Sequence, residues 1–176
     1  SRGLGDVYKR QVLLEMSELR SVPCEDDVEL GPLSEEVLTD LAPLAENKGI
    51  ALNCAGDALV IGSDTLLYRL VFNLAENAIR YSRTDSSVIV SIRDNDSHVF
   101  LRVEDQGPGI PKQYRESIFQ PFFRLDKSRS RAYGGAGLGL ALVWEIAALH
   151  GGTVEVEASS ENGTVMLVTL SKGATT

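Results

Sequence analysis

Residues 64–82 read DTLLYRLVFNLAENAIRYS, and their spacing predicts a long helix from Asp64 to Tyr81. At about 100° per residue, one face of this helix is apolar, as expected of a helix that packs on a hydrophobic core. The apolar face consists of Leu67, Leu70, Val71, Leu74 and Ala78. The stretch therefore predicts a helix that a second layer of the fold covers.

A polar stripe borders this apolar face, where the rim of a cleft would lie. Its members, spaced i, i+4, i+7 and i+8, are Asn73, Asn77, Arg80 and Tyr81. Asparagine is unfavourable inside a helix because its side chain competes for backbone hydrogen bonds. Two carboxamides one turn apart therefore indicate a use, since their oxygens suit a Mg²⁺ ion that keeps several waters. A polar shoulder on a surface helix explains the stripe equally well.

The composition argues against several classes of protein. The chain has 176 residues, of which 43% are hydrophobic and 24% charged, enough for one domain with a buried core. Its net charge is −8, whereas a nucleic-acid-binding protein needs a basic surface. Cys24 and Cys54 form no close metal-ligand pair and are expected to be reduced thiols. No apolar run approaches the roughly 20 residues that span a bilayer, and no signal peptide is visible.

The predicted elements run helix, strands, helix, strands, long loop, helix and strands, which defines an α+β fold. We expect helices on one face of a mixed sheet. Ser34 is expected to cap a helix that runs to about Asn47, with a kink or break at Pro43. Another helix is expected at 138–149, and strands at 28–30, 50–54, 58–61, 87–93, 99–105, 153–158 and 164–170.

The segment EDQGPGIP, residues 104–111, follows directly on a predicted strand. Two glycines around a proline make a tight backbone that a flat ring could approach. An ionised carboxylate only accepts hydrogen bonds, so Asp105 would accept from the exocyclic amine of adenine and reject the keto oxygen of guanine. A plain turn after a strand is the alternative interpretation.

Glycines at alternate positions in GGAGLGLAL, residues 134–142, lead into the last predicted helix. Exposed backbone N–H groups and the positive end of the helix dipole together suit a phosphate. The segment lacks the GK[ST] ending of a P-loop and does not follow a strand, which argues against Walker-type and dinucleotide-binding motifs. A flexible hinge is the alternative, and it is compatible with phosphate binding.

Between these two segments, IFQPFFR at 118–124 brings three aromatic residues into a long irregular loop. Such loops are commonly lids, and the apolar residues would anchor one over a nucleotide. Arginines in the loop could then reach phosphate oxygens. A solvated basic loop with an aromatic plug is the alternative, and it is favoured for the cations beyond Arg124: Lys127, Arg129 and Arg131.

Taken in order, the four segments resemble the N box, first glycine box, F box and second glycine box of the histidine kinases. That family belongs to the superfamily of gyrase, heat-shock chaperone, histidine kinase and MutL ATPases, and the resemblance covers roughly residues 28–170. It implies a two-layer α/β sandwich of the histidine kinase ATPase type with an ATP lid. It also implies the ATP-binding catalytic domain of a bacterial two-component sensor histidine kinase, with ATP and Mg²⁺ as cofactors.

The resemblance assigns roles to individual residues. Asn77 looks like the Mg²⁺ ligand with Asn73 in support, and both are counted as catalytic together with Arg124, which would approach the γ-phosphate. Asp105 would read adenine. Further nucleotide contacts are expected at Arg80, Tyr81, Gly107, Gly109, Ile110, Phe119, Phe122, Phe123, Gly135, Gly137, Leu138 and Gly139.

The kinases that this chain resembles phosphorylate a histidine followed by an acidic residue and, soon after, a proline on a dimerisation helix. His98 and His150 both lack that context, and the helix dipole explains a histidine at a helix C-terminus. We therefore expect a half-enzyme that does not autophosphorylate alone. The expected divisions are a fusion-derived leader (1–11), the end of the dimerisation helix with a linker (12–27), the catalytic domain (28–172) and a tail (173–176).

The expected partners are the dimerisation and phosphotransfer domain of the parent kinase and, through it, a response regulator. Neither nucleic acid nor the membrane is expected to contact this domain. By family analogy the parent is a membrane-anchored homodimer with this domain in the cytoplasm, whereas the fragment alone is monomeric.

Three other functions are considered. Superfamily hydrolases and anti-sigma-type serine kinases usually carry a glutamate base where this chain has Asn73, and Glu76 points about 100° away from Asn77. A non-catalytic nucleotide-sensing module is the other alternative, and the presence of all four boxes argues against it.

Overall fold

The computed structural model describes residues 2–123 and 139–173. Four helices, seven strands and two short 3₁₀ turns lie within these residues. The helices are α1 (Arg2–Leu19), α2 (Leu30–Glu46), α3 (Asp64–Tyr81) and α4 (Gly139–Leu149). The strands are β1 (Asp26–Glu29), β2 (Ala51–Ala55), β3 (Leu59–Gly62), β4 (Ser87–Asp94), β5 (His98–Glu104), β6 (Thr153–Ser160) and β7 (Gly163–Ser171). The 3₁₀ turns span Lys112–Tyr114 and Ser117–Phe119.

Five strands form a mixed sheet because apolar side chains alternate along each central strand and cover one face. The strand order is β2-β4-β5-β7-β6, in which β2 and β4 are parallel and every other pair is antiparallel. Strands β1 and β3 form a separate antiparallel pair. The predicted strand ends differ from these bounds by one or two residues, since hydrogen-bonded pairing decides where a strand stops.

Helix α3 lies at the centre of the helical layer, where it packs on α2 and α4 and on strands β4 and β5. All five residues of its predicted apolar face are buried. The predicted α+β class and the two-layer sandwich are therefore confirmed.

The start of α2 differs from the prediction. The helix begins at Leu30, and Asp57 Oδ1 accepts hydrogen bonds from Gly31 N at 2.7 Å and from Ala58 N at 2.8 Å. Ser34 lies inside the helix, is fully buried, and its Oγ has no hydrogen-bond partner among the described residues. The predicted Ser34 cap is wrong because a distant carboxylate satisfies the helix start instead.

Helix α2 also runs without interruption through Pro43, so of the predicted kink or break the break does not occur. Proline removes one backbone hydrogen bond. Leu41 and Ala45 on either side are buried in the core, and their packing offsets that loss.

Helix α1 is longer than its sequence pattern predicts, since it starts at Arg2 and not near Val12. Its C-terminal end joins the core through Met16 and Leu19, and α1 contacts α4. A helix propagates more easily than it nucleates, so this packed end supports the helix that precedes it. None of the helices in the described part of the chain combines the length and the apolar character needed to cross a membrane.

Candidate nucleotide-binding site

The polar stripe of α3 borders the core as predicted, with its four members half-buried. Ser63 caps the start of the helix by accepting a hydrogen bond from Leu66 N at 3.2 Å. Near the other end, the Arg80 guanidinium lies 3.7 Å from the carboxylate of Glu76, one turn earlier. This ion pair holds the Glu76 carboxylate beside Arg80.

Asn73 lies beside the first residue of α4. A methyl group on Gly139 would sit 4.0 Å from the Asn73 Cβ, so the two helices approach at this point. The Asn73 Nδ2 atom is buried and has no hydrogen-bond partner among the described residues. This carboxamide therefore has a hydrogen-bonding group that none of the described residues uses.

The donor set around α3 fits a magnesium ion that arrives with a nucleotide. Within the described ranges no group of three or more His, Cys, Asp or Glu residues could hold a metal ion. Magnesium usually takes one or two protein oxygens and completes its shell with waters and phosphate oxygens, so a full protein cage is not required. The Asn77 and Asn73 carboxamides lie one turn apart on α3 and would supply hard oxygens of this kind.

Asp105 is the buried carboxylate of the site, with 9% of its surface exposed. Its Oδ1 accepts hydrogen bonds from Gly107 N at 2.9 Å and from Thr164 N at 3.2 Å. Burial raises the pKa of Asp105 above its usual range, the two N–H donors lower it in part, and the charge of Glu104 raises it further. One oxygen is thus committed to the fold, and none of the described residues donates a hydrogen bond to Oδ2.

Two glycines allow the loop after Asp105 to run against its neighbours. A Cβ on Gly107 would lie 2.6 Å from the carbonyl oxygen of Tyr81, so only glycine lets this loop touch the end of α3. Gly109 has φ of +86°, and a Cβ there would overlap the carbonyl oxygen of Ser160. The loop therefore joins the end of α3 to the end of β6.

A hydrogen-bond network fixes Ile110 at the far side of the same loop. Ile110 N donates to Ser159 Oγ at 2.8 Å, and Ser159 Oγ lies 2.8 Å from Thr164 Oγ1. Arg115 donates to the carbonyl oxygens of Ile110 and Ser159 at 3.3 and 3.1 Å. Ser159 and Thr164 were not predicted as site residues, because they meet the loop only through the pairing of β6 and β7. Arg115 was not predicted either, because no motif includes it.

Three further contacts join the end of α3 to the Asp105 loop. Gln106 N donates to Ser82 Oγ at 3.1 Å, and Arg83 N donates to the Gln106 carbonyl oxygen at 3.2 Å. Gln106 Oε1 accepts from Ser87 N at 2.8 Å. The first two predicted segments are therefore brought together at one edge of the sheet, with Tyr81 and Asp105 on adjoining turns.

Lys48 is a residue of this region that no sequence motif indicates. It follows α2, and its Nζ donates to the carbonyl oxygens of Ile79, Arg80 and Ser82 at 3.0, 2.8 and 2.7 Å. Burial and the charge of Arg80 lower the pKa of Lys48, whereas the three carbonyls favour its charged form.

The predicted aromatic anchors pack where the long loop begins. Phe119 is buried and its ring centroid lies 5.6 Å from that of Trp144 on α4. Phe123 lies 5.7 Å from Tyr114, and Phe122 is half-buried with φ of +67°. Phe119 thus attaches the start of this segment to α4. The predicted residues Arg124, Gly135, Gly137 and Leu138 lie outside the described residues.

The two histidines have structural surroundings. His150 is buried, its Nε2 accepts from Ser63 N at 3.0 Å, and its Nδ1 lies 2.7 Å from the carbonyl oxygen of Ile146. This pattern requires the neutral ring with the proton on Nδ1. The dipole explanation predicted for His150 is therefore replaced by a contact that joins the end of α4 to the start of α3. His98 Nδ1 lies 2.7 Å from Ser97 Oγ in the β4–β5 turn.

Comparisons with known proteins identify the relatives of this chain. Residues 62–174 match the family of histidine kinase-, DNA gyrase B-, and HSP90-like ATPases. The sensor-like histidine kinase SenX3 of Mycobacterium tuberculosis is 36% identical over 172 residues, which are 95% of this chain and 42% of SenX3. Sensor protein RstB of Escherichia coli is 48% identical over 98 residues, which are 56% of this chain and 22% of RstB. The chain thus spans less than half the length of these relatives.

Two solved structures share the fold. The mycobacterial sensor histidine kinase MprB superposes with a TM-score of 0.73 and 30% identity, over 84% of this chain and 97% of that one. The catalytic domain of histidine kinase ThkA gives a TM-score of 0.72 and 27% identity, over 84% and 96% of the two chains. The chain belongs to the histidine kinase-, DNA gyrase B-, and HSP90-like ATPase family, as an ATP-binding catalytic domain of the sensor histidine kinase type.

Proposed function

We propose that this domain binds Mg·ATP and donates the γ-phosphoryl group to a histidine on the dimerisation domain of a longer kinase. The observation that carries the proposal is the contact between the Asp105 loop and the end of α3, where Gly107 lies against the Tyr81 carbonyl. This contact brings the buried carboxylate of Asp105 next to α3, on which Asn73 and Asn77 are half-buried at the border of the core.

Asp105 is proposed to recognise adenine. Its Oδ1 is occupied by Gly107 N and Thr164 N, which leaves Oδ2 to accept from the exocyclic amine of the base. Guanine presents a keto oxygen at that position, and two facing acceptors repel each other. Gly107, Gly109 and Ile110 would shape the adjoining pocket, since their backbone is fixed by Tyr81, Ser160 and Ser159.

The phosphates are proposed to lie between α3 and the start of α4. Asn77, with Asn73 in support, would hold a magnesium ion whose charge partly neutralises the phosphate oxygens. Arg80 would contribute positive charge beside them, and Tyr81 an aromatic face to the nucleotide. Gly139, with Gly135, Gly137 and Leu138 before it, would present backbone N–H groups to the phosphates. Arg124 would approach the γ-phosphate from the segment that Phe119, Phe122 and Phe123 anchor.

Transfer to a histidine fits the site better than transfer to water. Phosphoryl transfer depends on positioning and charge neutralisation, and an unprotonated imidazole nitrogen is itself the nucleophile. Activation of water would need a general base, and Glu76 is held 3.7 Å from Arg80 by an ion pair. The buried His150 and the turn residue His98 are both engaged in local contacts, so the acceptor is proposed to come from another domain.

The partners of the domain follow from this assignment. The parent is proposed to be a membrane-anchored homodimeric kinase with this domain in the cytoplasm, in which the dimerisation domain passes the phosphoryl group to a response regulator. The isolated domain is proposed to be monomeric.

A transfer assay tests the proposal. The domain is incubated with γ-labelled ATP, Mg²⁺ and a dimerisation-domain fragment of the longer kinase, and acid-labile, base-stable label is measured on the fragment. Phosphohistidine formation that fails with the Asn77→Ala variant would support the kinase assignment. ATP binding without any transfer would favour a nucleotide-sensing module, and label on serine would favour a serine kinase.

A further inference from the structure

Lys48 places three hydrogen bonds on the end of α3, at the carbonyl oxygens of Ile79, Arg80 and Ser82. The last carbonyls of a helix have no partner inside the helix, and their dipoles favour a cation. All three distances fall between 2.7 and 3.0 Å, so the ammonium uses each of its three N–H groups. The side chain thus acts as a cap supplied from 31 to 34 residues away.

The backbone of Lys48 is fixed to the same region. Its carbonyl oxygen accepts from Asp85 N at 2.9 Å, and Ala51 N donates to the Ser86 carbonyl oxygen at 2.9 Å. Gly49 has φ of +68° and leaves no room for a Cβ beside the Asp85 side chain. The turn after α2 and the connection from α3 to β4 are therefore held together, and the backbone of Lys48 is fixed relative to the end of α3.

The capped residues lead directly to the nucleotide-site loop. Ser82, whose carbonyl accepts from Lys48, uses its Oγ to accept from Gln106 N, the residue after Asp105. Tyr81 lies between two capped residues, and its carbonyl is the surface against which Gly107 packs. A change in the direction of the last turn of α3 would therefore displace the loop that holds Asp105.

We propose that Lys48 is a positioning residue of the nucleotide site, which orients the last turn of α3 and, through Ser82 and Gln106, the Asp105 loop. It does not contact the nucleotide. This inference rests on the proposed function, since it assumes that the Asp105 loop receives ATP.

Lysine is the side chain that this geometry selects. A methionine has a similar length but donates no hydrogen bond, so it would leave three carbonyls without their partner. An arginine keeps the charge, but its planar guanidinium cannot direct three donors from one atom to three converging carbonyls. The variants K48M and K48R therefore separate the loss of charge from the loss of geometry.

Lys172 provides a matched control. Its Nζ lies 2.6 Å from Asp94 Oδ2, at the opposite end of β4 from Ser87 and the Asp105 loop. The variant K172M removes the same charge and one close ion pair without touching α3. A loss of affinity caused by net charge or by general destabilisation would be shared by K48M and K172M.

The experiment has two parts. Calorimetric titration measures binding of a non-hydrolysable ATP analogue in the presence of Mg²⁺, and amide NMR spectra are recorded on the protein without nucleotide. We expect K48M to bind about tenfold more weakly than the wild type, given that small misplacements of a site are costly. K48R should fall between the two, and K172M should match the wild type. The Gln106 and Gly107 amide resonances should shift in K48M and stay in place in K172M.

Several outcomes would overturn the inference. A folded K48M that binds the analogue as tightly as the wild type would do so, even if the two amide resonances shift. Unchanged Gln106 and Gly107 resonances would also do so. If K48M does not fold, K48R decides the question, and wild-type affinity in K48R would contradict the proposal. If the wild type itself binds no analogue, the proposed function fails while the NMR comparison still tests the positioning role.

Discussion

Two hydrogen bonds join Asp105 and Thr164 where β5 and β7 meet. Asp105 N donates to the Thr164 carbonyl oxygen at 2.9 Å, and Thr164 N donates to Asp105 Oδ1 at 3.2 Å. The carboxylate is thereby fixed both through its backbone and through one oxygen. A group held in this way can present its second oxygen to a ligand in a single orientation.

Replacing Asp105 by asparagine should separate ligand binding from folding. Asparagine Oδ1 can still accept from Gly107 N and Thr164 N, but its second group is a donor that faces the donor amine of adenine. ATP binding should weaken by about 1.5–3 kcal/mol, the range for a hydrogen bond to a charged group. Calorimetric titration measures this loss, and normal ATP binding by D105N would show that the adenine assignment is wrong.

The same substitution should not destabilise the protein without nucleotide. Burial raises the pKa of Asp105 in the folded state, so ionisation of this carboxyl opposes folding. Its contribution to stability is most favourable below the unfolded-state pKa and is lost as the pH rises through the folded-state pKa. At neutral pH, D105N removes this cost, and its thermal unfolding midpoint should equal or exceed that of the wild type. A clear decrease in the midpoint would contradict this account of the buried charge.

The affinity for ATP should fall on acidification earlier than an ordinary aspartate would cause. Recognition of the adenine amine needs the ionised carboxylate, and the raised pKa brings its protonation to a higher pH. ATP affinities of the wild type and D105N, measured between neutral pH and about pH 4, the usual aspartate pKa, test this expectation. The D105N variant reports the titration of the nucleotide phosphates and other groups. Parallel pH profiles for the two proteins would exclude Asp105 as the titrating group.

Asn77→Ala should reduce the magnesium-dependent part of ATP binding. The alanine variant loses the carboxamide oxygen proposed as the protein ligand of Mg²⁺. We expect a loss of about tenfold or more, equivalent to at least about 1.4 kcal/mol, when affinities are measured with and without Mg²⁺. Asn53→Ala is the matched control, because Asn53 is exposed on β2. Equal losses in the presence and absence of Mg²⁺ would show that Asn77 does not act through the metal.

Ser34→Ala should stabilise the protein. The Ser34 hydroxyl is fully buried in α2 without a hydrogen-bond partner among the described residues. Its removal eliminates a desolvation cost of about 1–3 kcal/mol, and alanine is the better helix former by about 0.5 kcal/mol. Thermal unfolding should show a midpoint that rises by several degrees.

Ser17→Ala is the control for this variant, because Ser17 is exposed on α1 and its replacement reports helix propensity alone. A stability gain in S34A that does not exceed the gain in S17A would show that the buried hydroxyl is already satisfied in solution.

The parts of the fold that could be predicted are those set by local pattern. Helix α3 has the predicted bounds because Asp64 to Tyr81 combine an apolar face with a Ser63 cap and a stop at Ser82. The four motif segments could be ordered along the chain, and the structure brings the first two into contact. Phe119 was predicted as a lid anchor, and its ring packs on Trp144 of α4.

The parts that could not be predicted depend on contacts between distant residues. Asp57 caps α2 from 26 residues away, which makes the local cap at Ser34 unnecessary. Lys48 reaches Ser82 across 34 residues, and Thr164 reaches Asp105 across 59. Each contact joins segments that only the tertiary fold brings together, and no motif around these residues indicates the partner.

The most direct measurement is calorimetric titration of the purified protein with a non-hydrolysable ATP analogue, with and without Mg²⁺. We expect saturable one-to-one binding that is tighter when Mg²⁺ is present and that weakens in the Asp105→Asn variant. No binding to a protein shown to be folded by its amide NMR spectrum would contradict the proposed nucleotide site.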